Sequence, residues 1–577
     1  MPRIGSIRRG QLISTYGVGA MIPVGDEAVM VAGLDVWPVA QPNIHEPRLE
    51  RKLRVRGFVI PPASGDEERR DIPVVRFPMI YSCPSCRRLE RHSFFAQPAG
   101  NKCNACGVEL IPSRFVVVCD RGHIDDFPYF EWVHVGTPRA EGGPHVLTIE
   151  TVGESAALSS IVIRCSCGKS STMQGAFGRT ALHRIKKCDG NRPWLRDRES
   201  CGQNLRTLQR GASNTYFPVF QSALSIPPWS EGALKLINRS WHVLQHVPDV
   251  SLEATIAGMR LAEGTAYSVQ NLVDAVRARK TGDAGLLGDS ANLRAQEYEA
   301  FTVGRNETSR DQDFVCIPVE NPGSEVTHWF DQVMIAPRLR EVRALQQFTR
   351  LLPASPADDP SRRAPLAATE LGWLPAIEVV GEGVFLKIAE ERLNDWERRT
   401  DVADRVKPIE QNYRTRFASM GRPPDRVITP RLLLIHTLAH ALITQWSLEC
   451  GYPAASLRER LYVSEPSAQP SMAAVLIYTA TSDAAGSLGG VVALAEKARL
   501  YPALADAITR SAWCSSDPLC IEAEGTGVDA LNLAACHACV LLPETSCEES
   551  NMLLDRALLI GTPQQPDIGF FAELSRR

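Results

Sequence analysis

No glycine-rich phosphate loop of the Walker type occurs in the 577 residues, and without one a chain cannot cradle a nucleoside triphosphate as P-loop motors do. The nearest approach is Gly168-Lys169-Ser170, but the loop requires a glycine five positions before Gly168, and Ile163 stands there. Asp26-Glu27-Ala28-Val29 imitates a helicase magnesium-binding box, yet it follows Pro23 and Gly25 where a buried apolar strand is needed. Long apolar runs are missing too. Nothing approaches the roughly 18 residues that would span a bilayer, and the opening MPRIGSIRRGQLISTYG lacks the apolar centre of a signal peptide. The expectation is a cytoplasmic protein without a membrane partner. Charge of one sign is also scarce: 63 Lys and Arg against 66 Asp and Glu leave a net charge of -3, so any nucleic-acid binding must use local basic surfaces.

Cysteine is plentiful. Sixteen thiols in a long chain without a secretory leader predict metal sites rather than disulfides. Cys83-Pro-Ser-Cys86 and Cys103-Asn-Ala-Cys106 are two knuckles separated by sixteen residues, the spacing of a zinc ribbon with four thiolates and no open position. Cys165, Cys167, Cys188 and Cys201 form a looser group, read here as a second zinc site, with buried free thiols as the alternative. Cys514, Cys520, Cys536 and Cys539 make a third, in which Cys547 could replace one ligand. Cys119 and His123 have a C-x3-H spacing, but with four thiolates already nearby they are read as a buried cysteine and its capping histidine.

His436 and His440 are four apart on an apolar helix, so they share one face. Thr437 occupies the place of the general-base glutamate of H-E-x-x-H hydrolases. A core helix with two hydrogen-bonded histidines is the preferred reading, and a metal-dependent hydrolase or nuclease that recruits Asp483 or Glu465 is the alternative.

The chain length predicts several domains. The expected fold class is α+β multidomain: a β-rich module over 1–80, a zinc-ribbon region over 81–210, a mainly helical middle over 211–425 and a C-terminal α/β zinc-binding domain over 426–577. Helices are expected over Asn271 to Lys280, Pro337 to Leu352 and Lys387 to Arg399, and a fully buried strand over Ala473 to Thr479. Arg8, Arg9 and Tyr16, in a glycine-rich stretch, and Lys186, Lys187 and Arg192, among the other basic residues Arg87, Arg88, Arg91, Arg184, Arg196 and Arg198 of the zinc-ribbon region, are candidate nucleic-acid contacts, with a solvated surface as the alternative. Arg338, Arg340, Arg343 and Arg350 recur along the expected helix over Pro337 to Leu352 and read as a soluble face or a DNA track.

HTLAHALI, LIYTATSDAAGSLGG and CHACVLLPETSCE resemble the MrfA-like zinc-binding domain that typically closes helicase polypeptides, over roughly residues 430 to 560. RRGQLISTYGVGAMIPV, VAGLDVWP, CPSC and GHIDDFPYFEW look like the DrmB family of the DISARM anti-phage defence system. That resemblance implies zinc at Cys514, Cys520, Cys536 and Cys539, a separate DrmA helicase as partner, and a shared task of recognising phage DNA. It implies no catalytic residue.

Overall fold

The computed structural model describes residues 5–25, 27–39, 41–63, 71–97, 100–135, 145–153, 157–227, 229–230, 232–265, 267–285, 293–305, 313–354, 359–419, 421–468, 470–479 and 489–575. The chain is α+β and forms two compact units. One comprises Met1–Ile44, Leu53–Gln221 and Arg343–Ile377, the other His45–Lys52, Ser222–Val342 and Glu378–Arg577. Segment 211–425 therefore contributes to both. Among the described residues no helix is long and apolar enough to cross a membrane.

The first unit is built from short antiparallel strands. Six of them, in the order Ser170–Thr172, Ile161–Cys165, Leu147–Thr151, Arg88–Arg91, Ile80–Ser82, Ile111–Pro112, make one sheet. A second sheet places Phe115–Val118 between Arg206–Gln209 and Ile124–Asp126. Its central strand is Phe-Val-Val-Val and wholly buried, as expected for β-branched side chains on a covered pleat. Phe115, Phe127, Tyr129, Leu147 and Ile163 fill the adjoining core. The glycine-rich N-terminal stretch packs against its own chain. A Cβ on Gly17 would come within 2.4 Å of the Tyr216 hydroxyl, and one on Gly19, at φ +81°, within 2.4 Å of the Phe348 ring.

Asp126 ends the second sheet. Its Oδ1 accepts the N–H groups of Met79 (2.9 Å) and Ile80 (3.0 Å). Burial nonetheless pushes its carboxyl up to about 7, with the Asp125 charge adding to the effect. Because the folded value lies above the unfolded one, stability is greatest at low pH and falls as pH rises from about 4 through 7. Asp126→Asn keeps the acceptor without the charge. It should flatten this dependence and stabilise the protein at pH 8 by up to roughly 4 kcal/mol, measurable by urea denaturation at pH 5 and pH 8.

In the second unit, Ala473–Thr479 is buried along its whole length between Leu457–Val463 and the 383–387 part of Leu374–Ile388. Phe301 and Phe385 stack at 5.1 Å, with Tyr298 and Tyr462 against them. The helix Pro430–Cys450 starts where the Thr429 hydroxyl accepts the Leu432 N–H and Pro430 takes the first turn, and it stops at Gly451 with φ +70°. It is apolar on every side because the strands Leu457–Val463 and Ala473–Thr479 and the helix Lys497–Ser511 all pack on it.

Two expectations change. Pro337 to Leu352 is not helical; it belongs to the strand Phe330–Thr349, of which residues 334–339 pair with Phe314–Pro318. Its arginines are neither a soluble face nor a track, since Arg340, Arg343 and Arg350 are buried. The Arg340 guanidinium donates to Ser225 Oγ (2.8 Å), His45 O (3.2 Å) and Glu378 Oε2 (2.5 Å). Lys387 to Arg399 also divides, with Lys387 closing a strand and Glu390–Glu397 forming the helix.

Candidate metal centres

Among the described residues, five groups of four side chains each bring one ligand atom apiece to within 4.8 Å of one another. The first is Cys83, Cys86, Cys103 and Cys106. Its two knuckles have the same backbone. Cys83 N–H bonds Arg88 O (3.0 Å) while Arg87 N–H bonds Cys83 O (2.9 Å), and Cys103 N–H bonds Val108 O (2.8 Å) while Gly107 N–H bonds Cys103 O (2.9 Å). Arg87 and Gly107 both take left-handed φ, 61° and 69°. Two equal turns thus aim four thiols at one point, with Cys86 and Cys103 Sγ 4.0 Å apart.

The C-terminal group is Cys514, Cys520, Cys536 and Cys539, with Sγ separations of 3.4 Å (514–536), 3.8 Å (520–539) and 3.6 Å (536–539). A tetrahedral zinc ion with Zn–S bonds of about 2.3 Å sets its sulfurs about 3.8 Å apart, whereas a disulfide requires about 2.05 Å. Asp517 braces the turn: it accepts the N–H groups of Cys514 (3.0 Å) and Ile521 (3.1 Å) and pairs with Arg556.

The structure divides the expected group of Cys165, Cys167, Cys188 and Cys201 between two mixed sites. Cys188 and Cys201 meet Cys119 and His123, so the capping reading of Cys119 and His123 gives way to a shared site. His123 Nδ1 lies 3.4 Å from Cys119 Sγ and 3.6 Å from Cys188 Sγ. Its Nε2 lies 2.7 Å from the Glu199 carboxylate, which orients the ring and leaves the Nδ1 lone pair facing the thiols. Arg350 holds the hairpin from behind, its Nε donating to Gly122 O (2.9 Å). Glu199→Gln should weaken metal affinity at this site about 10- to 100-fold, read by competition with a chromophoric chelator; an unchanged affinity would deny the orienting role.

Cys165 and Cys167 meet His134 and His145 instead. His134 Nε2 is 3.3 Å from Cys167 Sγ and His145 Nδ1 is 3.2 Å from Cys165 Sγ. His134 Nδ1 bonds Phe130 O at 2.8 Å, so its Nε2 carries the lone pair. Gly168-Lys169-Ser170 is the tight turn between Ile161–Cys165 and Ser170–Thr172, not a strand-to-helix phosphate loop.

The fifth group is His436, His440, Glu459 and Cys547, all buried. It contains neither Glu465, which is exposed, nor Asp483, which lies outside the described residues. Cys547 faces His436 Nε2 at 3.2 Å rather than joining the four C-terminal thiols.

The donor sets suit zinc. Thiolate is the ligand form of cysteine, and one thiol in each of three groups is held low. Cys167 falls to about 6 through the Lys169 N–H and His134. Cys103 falls to about 7: burial alone would raise it, but the N–H groups of Cys106 and Ala105 and the adjacent thiols outweigh that. Cys536 also falls to about 7, burial being outweighed by the Ala538 N–H and the Cys514 and Cys539 thiols.

The candidate basic residues are largely engaged within the chain. Lys186 pairs with Asp189 (3.0 Å), Lys187 bonds Asn204, and Arg192 pairs with Asp197 and Glu199 (2.8 Å each). Arg9 Nε donates to Pro61 O (2.8 Å), Arg8 is exposed and Tyr16 half-buried. Arg91, Arg196 and Arg198, with Arg76, line a cleft of about 500 Å³ floored by Asp125 and Asp126.

His134, His145 and Glu459 were missed from sequence because their partners are distant in the chain or one-sided in spacing. The visible signal was Cys119-x3-His123, a hairpin-length pair beside two cysteines without close neighbours.

Residues 8–217 match a domain family described as a domain of unknown function (DUF8724), and residues 438–540 match the MrfA Zn-binding domain. The latter range contains all four C-terminal cysteines as well as His440 and Glu459. A DISARM protein DrmB of Bacillus paralicheniformis (strain ATCC 9945a / NCIMB 11709 / CD-2) is 31% identical over 540 residues, covering 88% of this chain and 92% of the relative. Identity of that extent, running through both units and joined to a zinc-binding domain in the second, means that the chain belongs to the DrmB family of DISARM proteins.

Proposed function

We propose that this protein is a non-motor, non-enzymatic subunit of DISARM anti-phage defence in the cytoplasm, which binds DNA, positions a separate DrmA-like helicase, or does both. The likeness to DISARM protein DrmB over 88% of the chain carries the reading. Zinc at the cysteine and histidine groups acts as structural cross-linking, because four protein donors leave no position for substrate. Arg91, Arg196 and Arg198 around one cleft support phosphate contact by the first unit, with Arg8, Arg9 and Tyr16 as a second candidate surface; Lys186, Lys187 and Arg192, each bonded to an acidic or amide side chain, are the weaker candidates. The hydrolase alternative finds less support, since His436 and His440 are both 0% exposed.

The test is co-purification with the neighbouring gene products, followed by DNA-stimulated ATPase assays with and without this chain. The expected result is a stable complex with the helicase, no ATP turnover by this chain alone, and DNA affinity that falls steeply with salt. Robust ATPase activity from the isolated chain, or helicase behaviour indifferent to its presence, would overturn the reading.

A further inference from the structure

We propose that His436, His440, Glu459 and Cys547 form a further, fully buried site for a divalent zinc-like ion, which ties the C-terminal loop to the central helix. The helix Pro430–Cys450 supplies both imidazoles, the strand Leu457–Val463 the carboxylate, and the loop after Cys539 the thiol.

The tautomers are fixed from outside. His436 Nδ1 faces Leu553 O at 3.2 Å and His440 Nδ1 faces Val540 O at 2.7 Å. A carbonyl only accepts, so each Nδ1 donates to it and each ring turns its Nε2 inward. There the two nitrogens meet one carboxylate: His436 Nε2 is 3.2 Å from Glu459 Oε1 and His440 Nε2 is 3.6 Å from Glu459 Oε2. His440 Nε2 and Glu459 Oε2 have no hydrogen-bond partner, although both are buried. A buried carboxylate facing two imidazole nitrogens requires positive charge between them, supplied by protons on the rings or by a metal ion that replaces those protons.

The spacing fits an ion. Nitrogen and oxygen donors about 2.1 Å from a tetrahedral centre lie about 3.4 Å apart, and a sulfur at about 2.3 Å lies about 3.6 Å from such a nitrogen, near the 3.2 Å and 3.6 Å nitrogen–oxygen and 3.2 Å nitrogen–sulfur separations of these atoms. Charge fits as well. One thiolate and one carboxylate neutralise a divalent ion, so four ligands at 0–7% exposure would enclose no net charge. The Cys547 sulfur is already placed as an acceptor: its Sγ receives the N–H groups of Glu549 (3.3 Å) and Asn551 (3.2 Å). Cys83, Cys188 and Cys514 receive N–H groups in the same way at 3.4 Å. Cys450, outside every group, instead points its thiol at Gly490 O (3.3 Å). Two nitrogens, one sulfur and one oxygen around a closed centre are a donor set of zinc's borderline softness.

Seven residues separate Cys539 from Cys547, so one short loop would carry a ligand to each of two ions and couple their occupancy. The decisive measurement is an anomalous difference map at the zinc edge from crystals of the full chain. A peak between the two Nε2 atoms, the Cys547 sulfur and the Glu459 carboxylate is expected; no peak there, with the Cys514–Cys539 site occupied in the same crystal, overturns the proposal. In solution, Cys547→Ser and Glu459→Gln should each reduce the metal content of the full chain by one ion. A folded Cys547→Ser protein with an unchanged metal count would also overturn it, and the map needs no variant to fold.

Discussion

Serine at Cys536 is expected to lower the unfolding temperature by roughly 10–20 °C and to release a metal ion from the chain. The segment around this knuckle has little else to hold it. Between residues 512 and 556 regular structure amounts to one 3-10 turn, Val528–Ala530. The nearby apolar groups are small: Ile521, Ala534 and Ala557 in one, Ala535, Val540 and Leu554 in the other. Structural zinc binding is worth on the order of 10 kcal/mol or more, comparable to the whole net stability of an ordinary domain. The loss is not total, because Arg405 pairs with Asp555 (2.8 Å) and Arg556 with Asp517 whether or not metal is bound. Calorimetry with metal counting checks the result. Cys450→Ala, a half-buried thiol outside every group, should leave the metal count unchanged. If Cys536→Ser matched wild type in both unfolding temperature and metal content, zinc would not be what holds this segment.

The two all-cysteine groups were legible because their donors come in short turns, where spacing alone constrains geometry. The mixed groups were not. His134 and His145 stand on either side of a connection, and nothing in their spacing points to Cys165 and Cys167 as partners. Cys188 and Cys201 looked like the natural continuation of Cys165 and Cys167, yet the hairpin carrying Cys119 and His123 reaches them instead. Local propensity also misled over Pro337 to Leu352. Leu, Glu, Ala, Gln and Arg are good helix formers, but pairing and burial within Phe330–Thr349 override them. The two-residue spacing of Arg338 and Arg340 was the signal of a strand. The helix Pro430–Cys450 was legible because cap, first-turn proline, apolar run and terminal glycine all agree.

Arg460→Met should destabilise the protein by about 3–5 kcal/mol, the usual cost of leaving a buried charge without its partner. Arg460 and Glu297 are 1% and 0% exposed and meet through two bonds, Nε to Oε2 at 2.7 Å and Nη2 to Oε1 at 2.8 Å. The guanidinium also donates to Ser222 Oγ (2.8 Å), and the carboxylate accepts the Leu224 N–H (3.0 Å) and the Tyr462 hydroxyl (3.3 Å). Burial alone would raise the Glu297 carboxyl, but Arg460 and then Arg294 hold it below its ordinary range. In the wild type this carboxylate therefore contributes stability above pH 4.5 that is lost as pH falls through the lowered value. Without Arg460, Arg294 (Nη1 to Oε2 3.9 Å) is the ion pair left to oppose the same burial, so the carboxyl protonates more readily and the deficit of Arg460→Met should be largest near pH 7.5 and shrink towards pH 5. Adding Glu297→Gln removes the orphan charge while keeping an acceptor for the Leu224 N–H. The double variant should then recover most of the loss, since the cost lies in the uncompensated charge rather than in the missing attraction. Urea denaturation at the two pH values decides the point: equal losses in single and double variants would mean that the arginine's packing and its bonds to Ser222, not the ion pair, set its contribution.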